Sequence, residues 1–96
     1  MRKYEVMYIL RADLEEAARK EVMDKLAAII TDNGGKVNET SEAMGMRELA
    51  YPIKDETKGY YVVLKAEMEN QAINEFNRLV RINPSVLRHL IVVEHK

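Results

Sequence analysis

Arg2-Lys3-Tyr4-Glu5-Val6-Met7-Tyr8-Ile9-Leu10-Arg11-Ala12-Asp13-Leu14-Glu15-Glu16 changes period partway along, and that change decides the fold. From Arg2 to Leu10 the side chains alternate, with Tyr4, Val6, Tyr8 and Leu10 on one side and Lys3, Glu5, Met7 and Ile9 on the other, as in a strand. Beyond Arg11 the spacing becomes helical. Asp13 as N-cap with Glu16 three residues on makes a capping-box pattern, and Ala18, Val22, Leu26 and Ile29 recur on one face. A helix is predicted from about Leu14 to Asp32.

Asn33-Gly34-Gly35 ends that helix, because glycine takes the left-handed conformation of a C′ residue without a Cβ clash. Lys36 to Ile53 is long for one strand, and Gly45 within it predicts a bulge and a second strand in two pieces, with Tyr51-Pro52 at an edge or strand end. Lys54 to Lys58 reads as a polar turn. Tyr60 to Met68 is rich in β-branched and aromatic residues and forms a third strand, with Val62, Leu64, Ala66 and Met68 inward. Asn70 is placed to cap a second helix whose Ile73, Phe76 and Val80 share a face, and Pro84 stops it. Val86 to Glu94 makes strand four.

The order strand, helix, strand, strand, helix, strand with short connections is the split βαβ plan of a ferredoxin-like α+β sandwich. It implies an antiparallel sheet in the order 4-1-3-2, with both helices on one face and the other face left for solvent or a partner. A chain of 96 residues fits one domain, residues 1–96, burying roughly 60 to 65% of its unfolded surface.

Several chemistries lack their residues. There is no cysteine, which excludes disulfides and thiolate sites. The first apolar run ends at Arg11, too short for a signal or membrane segment. His89 and His95 have no acid cluster at metal-ligand spacing; His89 is expected on the surface beside Arg88, and His95 at a mobile end. The serines, Ser41 and Ser85, have no base and carboxylate paired with them in sequence. Glu15-Glu16 at a helix start is accounted for by capping and the helix dipole, and Asn33-Gly34-Gly35 closes a helix where a phosphate cradle would open one. No cofactor is expected.

A net charge of -1 and a pI near 6.1 are unlike a generic nucleic-acid binder, so any RNA footprint must be local. Charge is segregated: Asp13 to Asp32 holds six acids against three bases, whereas 76–93 holds Arg78, Arg81 and Arg88 and no acid. The topology brings Arg11, Arg47, Lys54, Lys58, Arg78, Arg81 and Arg88 near one end of the sheet, with Arg2 and Lys3 at the other. Of the tyrosines, Tyr4 and Tyr8 share the core parity, while Tyr51 and Tyr61 are open to either packing or base stacking. Lys58-Gly59-Tyr60-Tyr61-Val62-Val63-Leu64-Lys65 imitates the first motif of RNA-recognition domains but lacks its aromatic residues at Val62 and Lys65. A single-stranded stacking platform is not expected.

Gly45-Met46-Arg47-Glu48-Leu49-Ala50-Tyr51-Pro52-Ile53 resembles the signature of the family of the sixth protein of the bacterial small ribosomal subunit. The resemblance extends to Met1-Arg2-Lys3-Tyr4-Glu5, to Lys58-Gly59-Tyr60-Tyr61 and to Arg81-Ile82-Asn83 leading to Val86-Leu87-Arg88. It implies a structural, non-catalytic, cytoplasmic ribosomal protein that binds the central domain of 16S ribosomal RNA together with the basic eighteenth protein of that subunit. Carried over by position, Arg2, Lys3, Tyr4, Arg47, Lys54, Lys58, Arg81 and Arg88 are the RNA-contact candidates, the lysines and arginines as phosphate binders. The partner is expected at the second strand and the nearby sheet surface. Two other classes on the same fold are a ligand-sensing or oligomerisation module and an acyl-phosphate hydrolase. The hydrolase needs an anion-cradling loop after strand one, where Arg11-Ala12-Asp13 leads directly into a helix.

Overall fold

The computed structural model describes residues 2–94, so His95 lies outside the described residues. Its elements are β1 (Arg2–Arg11), α1 (Glu16–Asp32), β2 (Lys36–Ile53), β3 (Glu56–Met68), α2 (Asn70–Arg81) and β4 (Val86–Val93). The antiparallel sheet runs β2-β3-β1-β4, the expected order read from the other edge. Alternation along β1 and β3 sends Val6, Tyr8, Leu10, Val62, Leu64, Ala66 and Met68 to one face. There they meet Leu26 and Ile30 of α1 and Ala72, Phe76 and Val80 of α2, so both helices cover the same side.

Neither helix start follows the expected capping. α1 begins at Glu16 after an N-cap at Glu15, and α2 at Asn70 after Glu69, each without a side-chain cap bond. Asp13 instead accepts a hydrogen bond from Arg11 Nε at 3.3 Å, an ion pair that takes its carboxylate away from the helix amides. Ala18, in the first turn, is exposed, and the buried stripe of α1 centres on Leu26 and Ile30. Ala72, Phe76 and Val80, four apart, form that of α2.

The end of α1 is as expected and closes as a Schellman motif. Gly35 N–H bonds Ile30 O at 2.8 Å, Gly34 N–H bonds Thr31 O at 3.2 Å, and Gly34 has φ +84°. Gly35 is needed for space, since a Cβ there would lie 2.8 Å from Glu67 O.

β2 is one continuous strand and not two pieces; its irregularity is taken up by three register shifts against β3, between Val37 and Glu39, between Ser41 and Gly45 and between Glu48 and Ile53. Gly45 lies at the end of the second shift, with φ +58°. The turn is shorter than expected. Ile53 pairs with Glu56, leaving only Lys54 (φ +50°) and Asp55 (φ +66°) between the strands, the left-handed pair of a type I′ hairpin. Bulges strengthen the local twist, and here they curl the hairpin tip over the sheet face opposite the helices. Ile9 on that face is 4% exposed, and a Cβ on Gly59 would strike its Cγ2 at 2.3 Å. Leu49, Tyr51 and Ile53 of the curled part reach Met7, Ile9 and Arg88, so part of the open face is covered by the chain itself.

Candidate nucleic-acid interface

The hairpin tip builds the site. Left-handed backbone at Lys54 lets its Nζ reach back to Val86 O on β4 at 3.4 Å, although β4 is the far edge strand. Arg81, in the last turn of α2, and Arg88, on β4, line a small pocket of about 140 Å³ with Lys54. Arg88 turns onto the open face, where its Nη1 donates to the Tyr51 hydroxyl on the curled part of β2. Three cations from a turn, a helix end and a strand thus share one corner, Lys54 held by a backbone carbonyl and Arg88 by a phenol, and among the described residues none of the three is paired with an acid.

Arg47 and Lys58 extend this end of the sheet along the β2–β3 pair, Arg47 opposite Gly59 and Lys58 opposite Glu48. Arg47 is exposed and is pinned by its Nε donating to Met44 O at 3.0 Å. Two other arginines of the expected cluster are spent on acids. Arg11 sits between Asp13 and Glu56, both at 3.3 Å, and Arg78 binds Glu75 through two 2.9 Å hydrogen bonds that hold the Glu75 carboxyl below its usual range. The Arg11 pairs also remove the cation that an acyl-phosphate hydrolase would need there.

Arg2 and Lys3 lie at the opposite end, beside Met68 and Glu67 of β3. Tyr4 is half-buried against the core and lines a shallow polar hollow with Arg2, Glu69, Asn70 and Gln71. The eight candidates therefore form two groups separated by the length of β1.

His89 is not beside Arg88 on the surface. Alternation turns it to the helix side, opposite Tyr8, where it bonds Asn77 Oδ1 at 2.8 Å and meets the Phe76 ring edge-on at 6.1 Å. Burial lowers its pKa, and the Arg81 charge adds to the shift. The tyrosines offer no stacking row. Tyr8 is buried, with its hydroxyl unpartnered among the described residues and its pKa pushed up chiefly by burial. Tyr60 donates to Glu42 at 2.9 Å and carries the Arg19 guanidinium 4.0 Å above its ring.

The sequence leaves Tyr51 open to either packing or base stacking and does not show its contact with Arg88. No local signal links residues so far apart in the chain. Leu49, Tyr51 and Ile53 also wall an apolar groove of about 230 Å³ on the open face, floored by Met7, Ile9 and Leu90. Their shared parity in the run Leu49-Ala50-Tyr51-Pro52-Ile53 was the available signal. Among the described residues no group of three or more His, Asp or Glu is arranged to hold a metal ion.

A family model described as ribosomal protein S6 matches residues 3–93. Among solved structures, the crystal structure of 30S ribosomal protein S6 from Thermotoga maritima is similar, with a TM-score of 0.89 and 29% sequence identity. The match covers 97% of this chain and 87% of that one.

Proposed function

This chain belongs to the ribosomal protein S6 family, and from that premise we propose that it binds the central domain of 16S ribosomal RNA through the Lys54, Arg81 and Arg88 corner. The family's role is structural, in the small ribosomal subunit, and not enzymatic. The observation that supports the RNA reading most is the reach of Lys54 Nζ to Val86 O, which brings Lys54 to the same small concavity as Arg81 and Arg88, none of the three paired with an acid among the described residues. Arg47 and Lys58 lengthen the footprint along the hairpin, and Arg2 and Lys3 with the exposed edge of Tyr4 form a second, smaller one. The basic eighteenth protein of the subunit docks on the apolar groove beside Tyr51, where its charge supplements that corner. The protein then acts in the cytoplasm, on the ribosome.

The test is simultaneous replacement of Lys54, Lys58, Arg81 and Arg88 by glutamate. These side chains are exposed, so the circular dichroism spectrum is expected to stay native while incorporation into small subunits falls steeply, like charges repelling at phosphate contacts. Unchanged incorporation by a folded variant refutes the assignment.

A further inference from the structure

The two free edges of the sheet are unlike. β2 carries the devices that keep an edge from pairing: register slips, Pro52, and charges at Lys36, Glu39, Glu42, Arg47 and Glu48. β4 carries none between its ends. From Arg88 to Glu94 it reads Arg-His-Leu-Ile-Val-Val-Glu, one cation and one anion bracketing five residues without a fixed charge. Its Leu90, Val92 and Val93 are 53%, 45% and 40% exposed.

The free hydrogen-bonding groups have a definite phase. Glu94 N–H bonds Lys3 O, so residues of its parity on β4 turn their backbone groups toward β1. His89, Ile91 and Val93 turn theirs outward. An added antiparallel strand must bond to those three. Of the two-fold registers that do so, the one centred on Ile91 sets His89 against Val93 in hydrogen-bonded pairs and Leu90 against Val92 between them. On the open face it sets Arg88 of each copy against Glu94 of the other. A register centred one residue toward the start of β4 leaves Arg88 against Val92, and one centred a further two residues that way sets Arg88 against Arg88.

We propose that the free edge of β4 is a self-association surface, taking a second copy of this chain antiparallel about Ile91 to give one continuous eight-stranded sheet. The strand is complementary to itself because opposite charges sit equally far from its centre. Reversal of direction brings each to its counterpart, and like charges directly opposite would oppose pairing. The single-strand seam is smaller than the standard interface of about 1,600 Å², so the dimer dissociates on dilution. It needs no RNA, and it competes with any ligand of Arg88.

Sedimentation of the RNA-free protein is expected to show monomer and dimer in mass-action exchange as concentration rises. Arg88→Glu alone and Glu94→Arg alone are each expected to abolish the dimer by setting like charges together, and the double swap to restore it. The restored double variant also shows that the single ones did not merely misfold. The absence of native cysteine allows a register test: a mixture of Leu90→Cys and Val92→Cys proteins is expected to cross-link faster than either alone, since such opposed pairs lie about 4.5 Å apart at Cα. A protein that stays monomeric at all concentrations, a dimer indifferent to the single charge reversals, or Leu90→Cys cross-linking to itself as fast as the mixture would each overturn the proposal.

Discussion

At the scale of single residues, His89 shows how an alternating strand separates neighbours. Arg88 turns onto the open face toward Tyr51, while His89 sits under α2 against Phe76 and Asn77. Because burial favours the neutral imidazole, the folded protein binds fewer protons than the unfolded chain between the lowered pKa and the ordinary value of about 6.5. Stability contributed by neutral His89 is therefore present above about pH 6.5 and lost as pH falls through that window. His89→Gln removes the titration. Urea melts at about pH 5 and about pH 7.5 are expected to show a smaller stability difference for His89→Gln than for the parent. An equal difference would mean that His89 is solvated in both states.

At the scale of elements, the helix stripes and the inward row of β3 make one core, and the hairpin tip adds a second, smaller contact on the other face. Leu26→Ala, in a side chain 1% exposed, is expected to cost about 3 kcal/mol, the transfer of the lost methyl groups plus a cavity that two rigid layers cannot close. Val62→Ala should cost somewhat less, about 2 kcal/mol, because fewer atoms are removed. Arg88→Ala is expected to stay within about 0.5 kcal/mol, since its guanidinium is exposed and its one phenol contact is at the surface. Denaturant melts that find Arg88→Ala as costly as Leu26→Ala would make Arg88 a structural residue.

At the scale of the whole molecule, 15 basic against 16 acidic side chains give almost no long-range attraction to RNA. The candidate cations form one larger group at the hairpin corner and a smaller one at Arg2 and Lys3, so any RNA binding by this chain alone would be short-ranged. With about four phosphates neutralised, affinity is expected to fall with salt at a log-log slope of roughly -3 to -4. A basic protein seated in the groove beside Tyr51 would join its footprint to that corner, and linkage requires RNA to tighten the protein pair by the same factor. Filter-binding titrations of central-domain RNA at physiological salt, with and without the eighteenth protein, measure this directly. Tight binding by this chain alone, unaffected by the partner, would sink the cooperative model.

Local chemistry was enough for the sequence to determine the element order, the inward rows of β1 and β3, the glycine end of α1 and the stop at Pro84. Periods of two and 3.6 and the special backbone demands of Gly and Pro act over a few residues and leave a readable trace. The sheet order followed from that element order, because short connections leave few topologies. What only the tertiary structure decided was how far each charge is already spent and how the hairpin curls. Arg11 and Arg78 look equal to Arg81 and Arg88 in sequence, yet the first two are paired with acids and, among the described residues, the others are not. Lys54 joins the corner only because accumulated β2–β3 slips and a left-handed turn bring it two strands across to Val86. The helix caps failed for a related reason. Asp13 has the spacing of a cap, but its carboxylate has the Arg11 cation within reach, and competition among partners in three dimensions leaves no periodic mark on a chain.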